Sequence, residues 1–203
     1  MSVTANETLL LPLITFHAAQ GQIVALRGEN GSGKTTLLRA LAGRIGPTTG
    51  TIQISGQPVN ERSPEFRRRV AVMIGLQPMA SDLTVFDHVA LVSSTWEESP
   101  ESVDTVSRRV LDEFGITALG ARYPNELSSG QTQLFGLALA FVRPFDVLLL
   151  DEPEQRLDPG RIELLAQAML ARRAAGATIV AATHSSSLAG RTADVTITLE
   201  TQA

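Results

Sequence analysis

Apolar residues form two kinds of pattern along this chain. Short continuous aliphatic runs lie within 21–28, 146–153 and 177–184, and such runs predict strands that are buried on both faces of a sheet. In 34–43 and 161–176 the apolar residues recur three and four positions apart, which predicts amphipathic helices. Strands that alternate with helices are typical of an α/β fold with a mainly parallel sheet flanked by helices.

Three further segments are strand candidates, and three consecutive segments have helical spacing. The strand candidates are 51–56, 69–76 and 195–200. The helical segments are 85–94, 103–115 and 130–142. Because no strand pattern separates these helical segments, they predict a helical subdomain insert over about residues 80–143. The length of 203 residues suits one compact core, so the whole chain, 1–203, is predicted to form a single domain.

Composition excludes several classes of protein. The chain has no cysteine, which excludes a disulfide scaffold, a catalytic thiol and a cysteine-bound metal. Its net charge of −4 provides no basic field for a polyanion, so no nucleic acid is expected as a partner. The apolar run near the N-terminus follows Glu7 and contains Pro12, and it does not have the pattern of a signal peptide. We therefore expect contact with a membrane only through a partner.

A glycine-rich segment between a predicted strand and a predicted helix carries the first chemical signal. The sequence GENGSGKT fits GxxxxGK[ST], a pattern whose backbone N–H groups, from about Gly31 to Thr36, bind phosphate oxygens at a helix N-terminus. Lys34 is expected to bridge the β- and γ-phosphates, and the Thr35 hydroxyl to ligate Mg²⁺. A glycine-rich turn that only caps a helix is the alternative. The candidate phosphate-binding residues are Gly28, Asn30, Gly31, Ser32, Gly33, Lys34, Thr35 and Thr36.

Two carboxylates follow the apolar run VLLL. In a parallel sheet, Asp151 and Glu152 would lie at the same edge as the glycine-rich loop, beyond the carboxyl ends of the strands. Asp151 is expected to accept a hydrogen bond from Mg²⁺-bound water, and Glu152 to orient and deprotonate an attacking water. A solvated strand end is the alternative interpretation of this acidic pair.

Four further segments occur in an order that is specific to one family. In chain order they are Gln77 after the strand candidate 69–76, LSSGQ at 127–131, RLDP at 156–159, and His184 at the end of the segment 177–184. With the glycine-rich loop and LLLDEP, this order resembles the nucleotide-binding domain of ATP-binding cassette (ABC) proteins over about 21–200. The resemblance implies a P-loop NTPase fold with a small N-terminal antiparallel β part.

The resemblance also implies roles for these segments. Gln77 would reach Mg²⁺ or the attacking water, and His184 would contact the γ-phosphate. The serines of LSSGQ precede a helix pattern and form a second anion-binding helix N-terminus, which would cover the ATP bound to a second nucleotide-binding subunit, identical or different. The residues implied in that contact are Ser128, Ser129, Gly130, Gln131 and Asp158.

The function implied is an Mg²⁺-dependent ATPase that drives a transporter made with transmembrane permease subunits. Its place would be cytoplasmic, peripheral on the inner face of the cell membrane. A soluble ABC ATPase of a non-transport assembly is an alternative. A nucleotide-gated binding module with little hydrolysis is another, because Ser129, Gln155 and Arg156 depart from the family pattern.

Overall fold

The computed structural model describes residues 1–75, 77–97 and 99–200. Leu76, at the end of the strand candidate 69–76, and residues 201–203 of the predicted domain lie outside the described residues. Strands β1 to β9 of this part of the chain are Val3–Ala5, Thr8–Leu11, Ile23–Arg27, Gln53–Ile54, Gln57–Pro58, Val70–Met73, Val147–Asp151, Thr178–Ala182 and Val195–Thr198. Helices α1 to α7 are Lys34–Leu41, Pro64–Arg69, Val85–Ser93, Pro100–Glu113, Ser129–Phe141, Pro159–Ala174 and Ser186–Thr192.

Five strands form one parallel sheet in the order β6-β7-β8-β3-β9. Strands β1 and β2 form an antiparallel hairpin near the N-terminus, and β4 and β5 form a second one. The prediction of an α/β fold with a mainly parallel sheet and a small N-terminal antiparallel part is confirmed. Because all five strands run in the same direction, their carboxyl ends meet at one edge, where α/β proteins bind ligands.

Alternation along the strands explains their unbroken apolar runs. In β7, Leu148 and Leu150 belong to the core cluster formed with α3 to α6, whereas Leu149 belongs to the cluster formed with α1 and the N-terminal hairpin. Successive side chains of β8 divide between the same two clusters, since Ile179 packs with the first and Val180 with the second. Both faces of the sheet are thus covered by apolar layers, which holds the carboxyl edge in place.

Several elements differ from the sequence-based predictions. The strand candidate 51–56 contributes only the two residues of β4, and helices α2 and α7 were not predicted. Helix α2 buries none of its residues, so it has no apolar stripe to detect. It begins instead at a Ser63 N-cap followed by Pro64, and α7 begins at a Ser185 N-cap. Short helices of this kind depend on their caps rather than on an apolar face.

Candidate active site

The glycine-rich loop connects β3 to α1 at the carboxyl edge of the sheet. Gly33 is the N-cap of α1 and has a φ of 93°, in the left-handed region. A Cβ at Gly33 would lie 2.8 Å from the carbonyl oxygen of Leu10, and a Cβ at Gly28 would lie 2.4 Å from that of Leu199. Two other backbone segments therefore approach the loop so closely that only glycine fits at these positions.

The loop contains a buried cation and several hydrogen-bond donors that have no partner among the described residues. Lys34 is buried, and its Nζ donates to the carbonyl oxygens of Gly28 and Glu29, at 2.8 Å each. The N–H of Ser32 donates to Glu29 within the loop, whereas the buried Ser32 hydroxyl has no partner among the described residues. Five N–H groups of the loop and of the first turn of α1 also make no hydrogen bond within this part of the chain: those of Gly31, Gly33, Lys34, Thr35 and Thr36.

The end of β7 brings a carboxylate to the first turn of α1. The Thr35 hydroxyl donates to Asp151 Oδ2 at 2.8 Å, although the two residues are 116 positions apart. Burial raises the pKa of the Asp151 carboxyl, and the negative charge of Glu152 adds to this effect, while the hydrogen bond from Thr35 opposes it. A hydroxyl and a partly desolvated carboxylate thus lie side by side next to the free N–H groups.

Asp151→Asn is expected to stabilise the ligand-free protein at neutral pH. Because the pKa is raised, ionisation of Asp151 lowers stability; this cost is absent below the ordinary pKa and complete above the raised one. Asparagine keeps an acceptor for Thr35 and has no charge, so the Tm should rise by about 2–4 °C for each kcal/mol recovered. Thermal unfolding at pH 8 without nucleotide measures this. The control is the exposed Asp112→Asn, and an Asp151→Asn Tm at or below that of the wild type would contradict the role of burial.

Glu152 and His184 meet directly beyond the sheet. Glu152 follows β7 with a φ of 47°, and its N–H donates to the carbonyl of Ala182 at the end of β8. His184 Nε2 lies 3.4 Å from Glu152 Oε1, and the two side chains are 45% and 38% exposed. Gln155 Nε2 donates to the other carboxylate oxygen at 3.1 Å. The structure therefore joins two of the predicted catalytic residues in a pair that solvent and a ligand can reach.

Two residues of this region were missed by the sequence reasoning. One Glu154 oxygen accepts hydrogen bonds from the Thr183 hydroxyl and from the N–H groups of His184 and Ser185, at 2.5, 2.9 and 3.0 Å. Gln133 is buried on α5 and donates to the carbonyls of Glu152 and Pro153. A glutamine within the apolar pattern of α5 was the available signal, since a buried amide requires partners.

The LSSGQ segment forms the N-terminus of α5. Ser128 is the N-cap and accepts from the N–H of Gln131, whose side chain in turn accepts from the N–H of Ser128 at 2.9 Å. Ser128 therefore caps this helix. Ser129 is exposed, whereas Gly130 is buried. A Cβ at Gly130 would lie 2.8 Å from the carbonyl oxygen of Arg156.

The remaining predicted site residues make fewer contacts. Asp158 is the N-cap of α6 and pairs with Arg161 at 3.2 Å. Gln77 and Asn30 are exposed, and neither makes a hydrogen bond to the other predicted site residues within the described part of the chain. Gln77 follows β6, at the same edge as Asp151. The structure thus places these residues near helix or strand ends but does not join them to the Glu152–His184 pair.

Two features are absent from residues 1–75, 77–97 and 99–200, the part of the chain that the structure describes. No group of three or more histidine, cysteine or acidic residues is arranged to hold a metal ion. No helix in these ranges has the length and apolarity needed to cross a membrane.

Comparison with known proteins gives consistent matches. A family model described as ABC transporter matches residues 11–155, which include the glycine-rich loop, Asp151 at the end of β7 and Glu152 after it. The putative ABC transporter ATP-binding protein TTE0246 of Caldanaerobacter subterraneus subsp. tengcongensis is 35% identical over 191 residues, covering 92% of this chain and 79% of that protein. The hemin import ATP-binding protein HmuV of Nocardia farcinica is 33% identical over 188 residues, covering 91% of this chain and 65% of that protein.

Comparison with solved structures leads to the same family. A solved structure of the ATP-binding subunit of an ABC transporter matches with a TM-score of 0.87 and 29% identity, covering 100% of this chain and 85% of that one. The P-loop NTPase fold implied by the sequence resemblance is confirmed. The chain spans just under two thirds of the length of the hemin import relative.

Proposed function

This chain belongs to the ABC transporter family and is an ATP-binding and ATP-hydrolysing subunit of that family, and from this premise we propose that it works as a nucleotide-sandwich dimer coupled to transmembrane permease subunits. The observation that supports the proposal most is the grouping at one sheet edge. Free loop N–H groups, the Thr35–Asp151 contact and the Glu152–His184 pair all lie there.

The glycine-rich loop holds the phosphates of ATP. Its N–H groups and the N-terminus of α1 present partial positive charge, and the buried Ser32 hydroxyl supplies a further polar atom. Lys34 is held by two carbonyl oxygens, so its ammonium is already directed to the loop interior, where it can exchange these neutral acceptors for phosphate oxygens. A phosphate oxygen carries negative charge, so the ammonium gains a Coulomb attraction there that a neutral carbonyl does not offer.

The residues present fit Mg²⁺. The Thr35 hydroxyl and the Asp151 carboxylate are 2.8 Å apart, and both offer the oxygen ligands that Mg²⁺ prefers, few in number because the ion keeps waters and phosphate oxygens. Thr35 would hold the ion directly and Asp151 through water, with Gln77 as a third ligand from the end of β6. When bound, the ion neutralises negative charge on the phosphates.

Glu152 acts on the attacking water. Its carboxylate is partly exposed beside His184, so one oxygen can accept a proton from a water placed between it and the γ-phosphate. His184, whose Nε2 lies 3.4 Å from the same carboxylate, donates to the γ-phosphate from a ring nitrogen. Asp151 is directed toward Thr35 instead, so the two neighbouring carboxylates divide the roles of metal ligand and base.

A second nucleotide-binding subunit, identical or different, completes the site. The free N-terminus of α5 with Ser128, Ser129 and Gly130 covers the γ-phosphate bound to the opposite subunit, with Gln131 and Asp158 beside it. Exposure of both serines leaves them accessible for this contact. The whole chain, 1–203, is one such domain, and its helical subdomain of about 80–143 together with Gln77 receives the permease subunits. The chain then lies in the cytoplasm on the inner face of the membrane.

A weakly hydrolysing nucleotide-gated module is the second candidate. Both oxygens of Glu152 already have partners, His184 on one side and Gln155 on the other. If Gln155 keeps its hydrogen bond in the presence of ATP, the carboxylate is a poorer base. The steady rate of ATP hydrolysis distinguishes this candidate from an active transport ATPase.

Copurification tests the transport assignment. A tagged chain expressed in its native host and purified from detergent-solubilised membranes is expected to bring down a multi-helix membrane protein in a defined ratio. A matched sample solubilised after alkaline washing, which strips peripheral proteins, should lose the complex. Recovery with soluble assembly factors alone would contradict transport and support the non-transport alternative.

A further inference from the structure

The loop that carries His184 has no regular structure of its own. Strand β8 ends at Ala182 and α7 begins at Ser186, and His184 itself is nearly half exposed. A histidine in such a position loses orientation unless its backbone is held, because ordering a loop costs conformational entropy. The backbone of this loop therefore needs an anchor from another part of the fold.

Glu154 supplies that anchor through a single oxygen. This oxygen accepts from three consecutive residues, namely the Thr183 hydroxyl at 2.5 Å, the His184 N–H at 2.9 Å and the Ser185 N–H at 3.0 Å. Hydrogen bonds that N–H groups donate to a carboxylate are stronger than hydrogen bonds between neutral groups. The contact spans 29 to 31 positions of sequence, so it joins the loop after β7 to the loop after β8.

Glu154 is itself attached to a fixed segment. Two positions before it, the N–H of Glu152 donates to the Ala182 carbonyl at 2.8 Å. The buried amide of Gln133 donates to the carbonyls of Glu152 and Pro153 at 3.2 and 3.0 Å. The segment that follows β7 is therefore tied to both α5 and β8 before it reaches Glu154.

We infer that Glu154 is a positioning residue, which holds the His184 loop so that the His184 ring faces Glu152 and the terminal phosphate of the bound nucleotide. Glu154 does not touch the reacting atoms. This inference rests on the proposed function for the role of His184, and it gives Glu154 a role that the proposed function does not assign.

Steady-state hydrolysis of Mg-ATP by the full chain measures the effect. Glu154→Ala is expected to lower kcat about tenfold or more, since small displacements of a catalytic group cost up to about 10²-fold, while KM changes less than about twofold because the phosphate loop is untouched. Glu154→Gln keeps an acceptor oxygen of the same shape and should restore most of kcat.

A double variant separates positioning from general support of the fold. If Glu154 acts through His184, Glu154→Ala should lower kcat no further in a His184→Ala background. Glu113→Ala is the matched control, because Glu113 also makes two hydrogen bonds, to Arg172, between α4 and α6. It should lower the Tm without lowering kcat. The inference would be overturned if the kcat of the double variant fell by the product of the two single reductions. An unchanged kcat in Glu154→Ala would also overturn it.

Amide hydrogen exchange of the ligand-free protein tests the anchor without depending on ATP turnover. The N–H groups of His184 and Ser185 should exchange faster in Glu154→Ala than in the wild type and in Glu113→Ala, and equal protection would also overturn the inference. A wild type without ATP turnover, together with faster exchange, would remove the proposed function but keep the anchor. A lower kcat in His184→Ala with a normal kcat in Glu154→Ala would remove only the inference.

Discussion

Replacing Glu152 with glutamine is expected to slow ATP hydrolysis by about a hundredfold or more while ATP binding persists. Glutamine retains the shape of the side chain and an acceptor oxygen, but it cannot take a proton from water. Since hydrolysis separates the proposed dimer, the Glu152→Gln variant should accumulate as a dimer in Mg-ATP. Phosphate release and size-exclusion chromatography measure the two effects.

The matched control for this change is Glu65→Gln. Glu65 lies on α2 and pairs with Arg69, and its side chain is 71% exposed, so loss of its charge should alter neither turnover nor oligomeric state. An unchanged hydrolysis rate in Glu152→Gln would remove Glu152 from the water-activating role. A slow rate without a dimer would retain that role and contradict the sandwich.

Lys34→Ala is expected to weaken ATP binding about thirtyfold or more. Truncating one member of a buried, hydrogen-bonded charge pair costs about 2–5 kcal/mol, and the Lys34 ammonium is the buried cation of the loop. Loss of this side chain also leaves the carbonyls of Gly28 and Glu29 without their donor. Equilibrium binding of a fluorescent ATP analogue, with Mg²⁺ present, gives the change in Kd.

Arg44→Ala controls for the loss of a positive charge, because Arg44 follows the same helix and is exposed. Its Kd should stay within about twofold of the wild type, since exposed charges contribute little. Binding by Lys34→Ala as tight as that of the wild type would show that the glycine-rich loop is not the phosphate site.

The centre of the sheet was predictable from the sequence because β3, β7 and β8 are buried on both faces. The apolar run VLLL within 146–153 predicts burial on both faces, and Leu148 and Leu149, which pack in two different core layers, explain it. The N-terminus of α5 was predictable in more detail than the motif alone indicated. Ser128 and Gln131 have the spacing of a capping box, so the N-cap was readable from two letters of sequence.

The contacts within the site were less predictable. The sequence motifs predicted that Thr35 and Asp151 both serve the Mg²⁺ site. Their hydrogen bond, however, forms only because the fold brings α1 next to β7, although the two residues are 116 positions apart. Glu154 has no local signal, since its partners Thr183 and Ser185 become neighbours only when β7 pairs with β8. Sequence patterns report local geometry and burial, whereas such contacts follow from the order of strands in the sheet.

The most direct measurement of the central claim is a crystal structure of the full chain with Mg²⁺ and a nonhydrolysable ATP analogue. We predict that the analogue's phosphates lie against the N–H groups of 31–36, with Lys34 Nζ moved from the Gly28 and Glu29 carbonyls to phosphate oxygens. The terminal phosphate should lie within reach of both Glu152 and His184. Nucleotide bound elsewhere, with Lys34 still on its two carbonyls, would contradict the account.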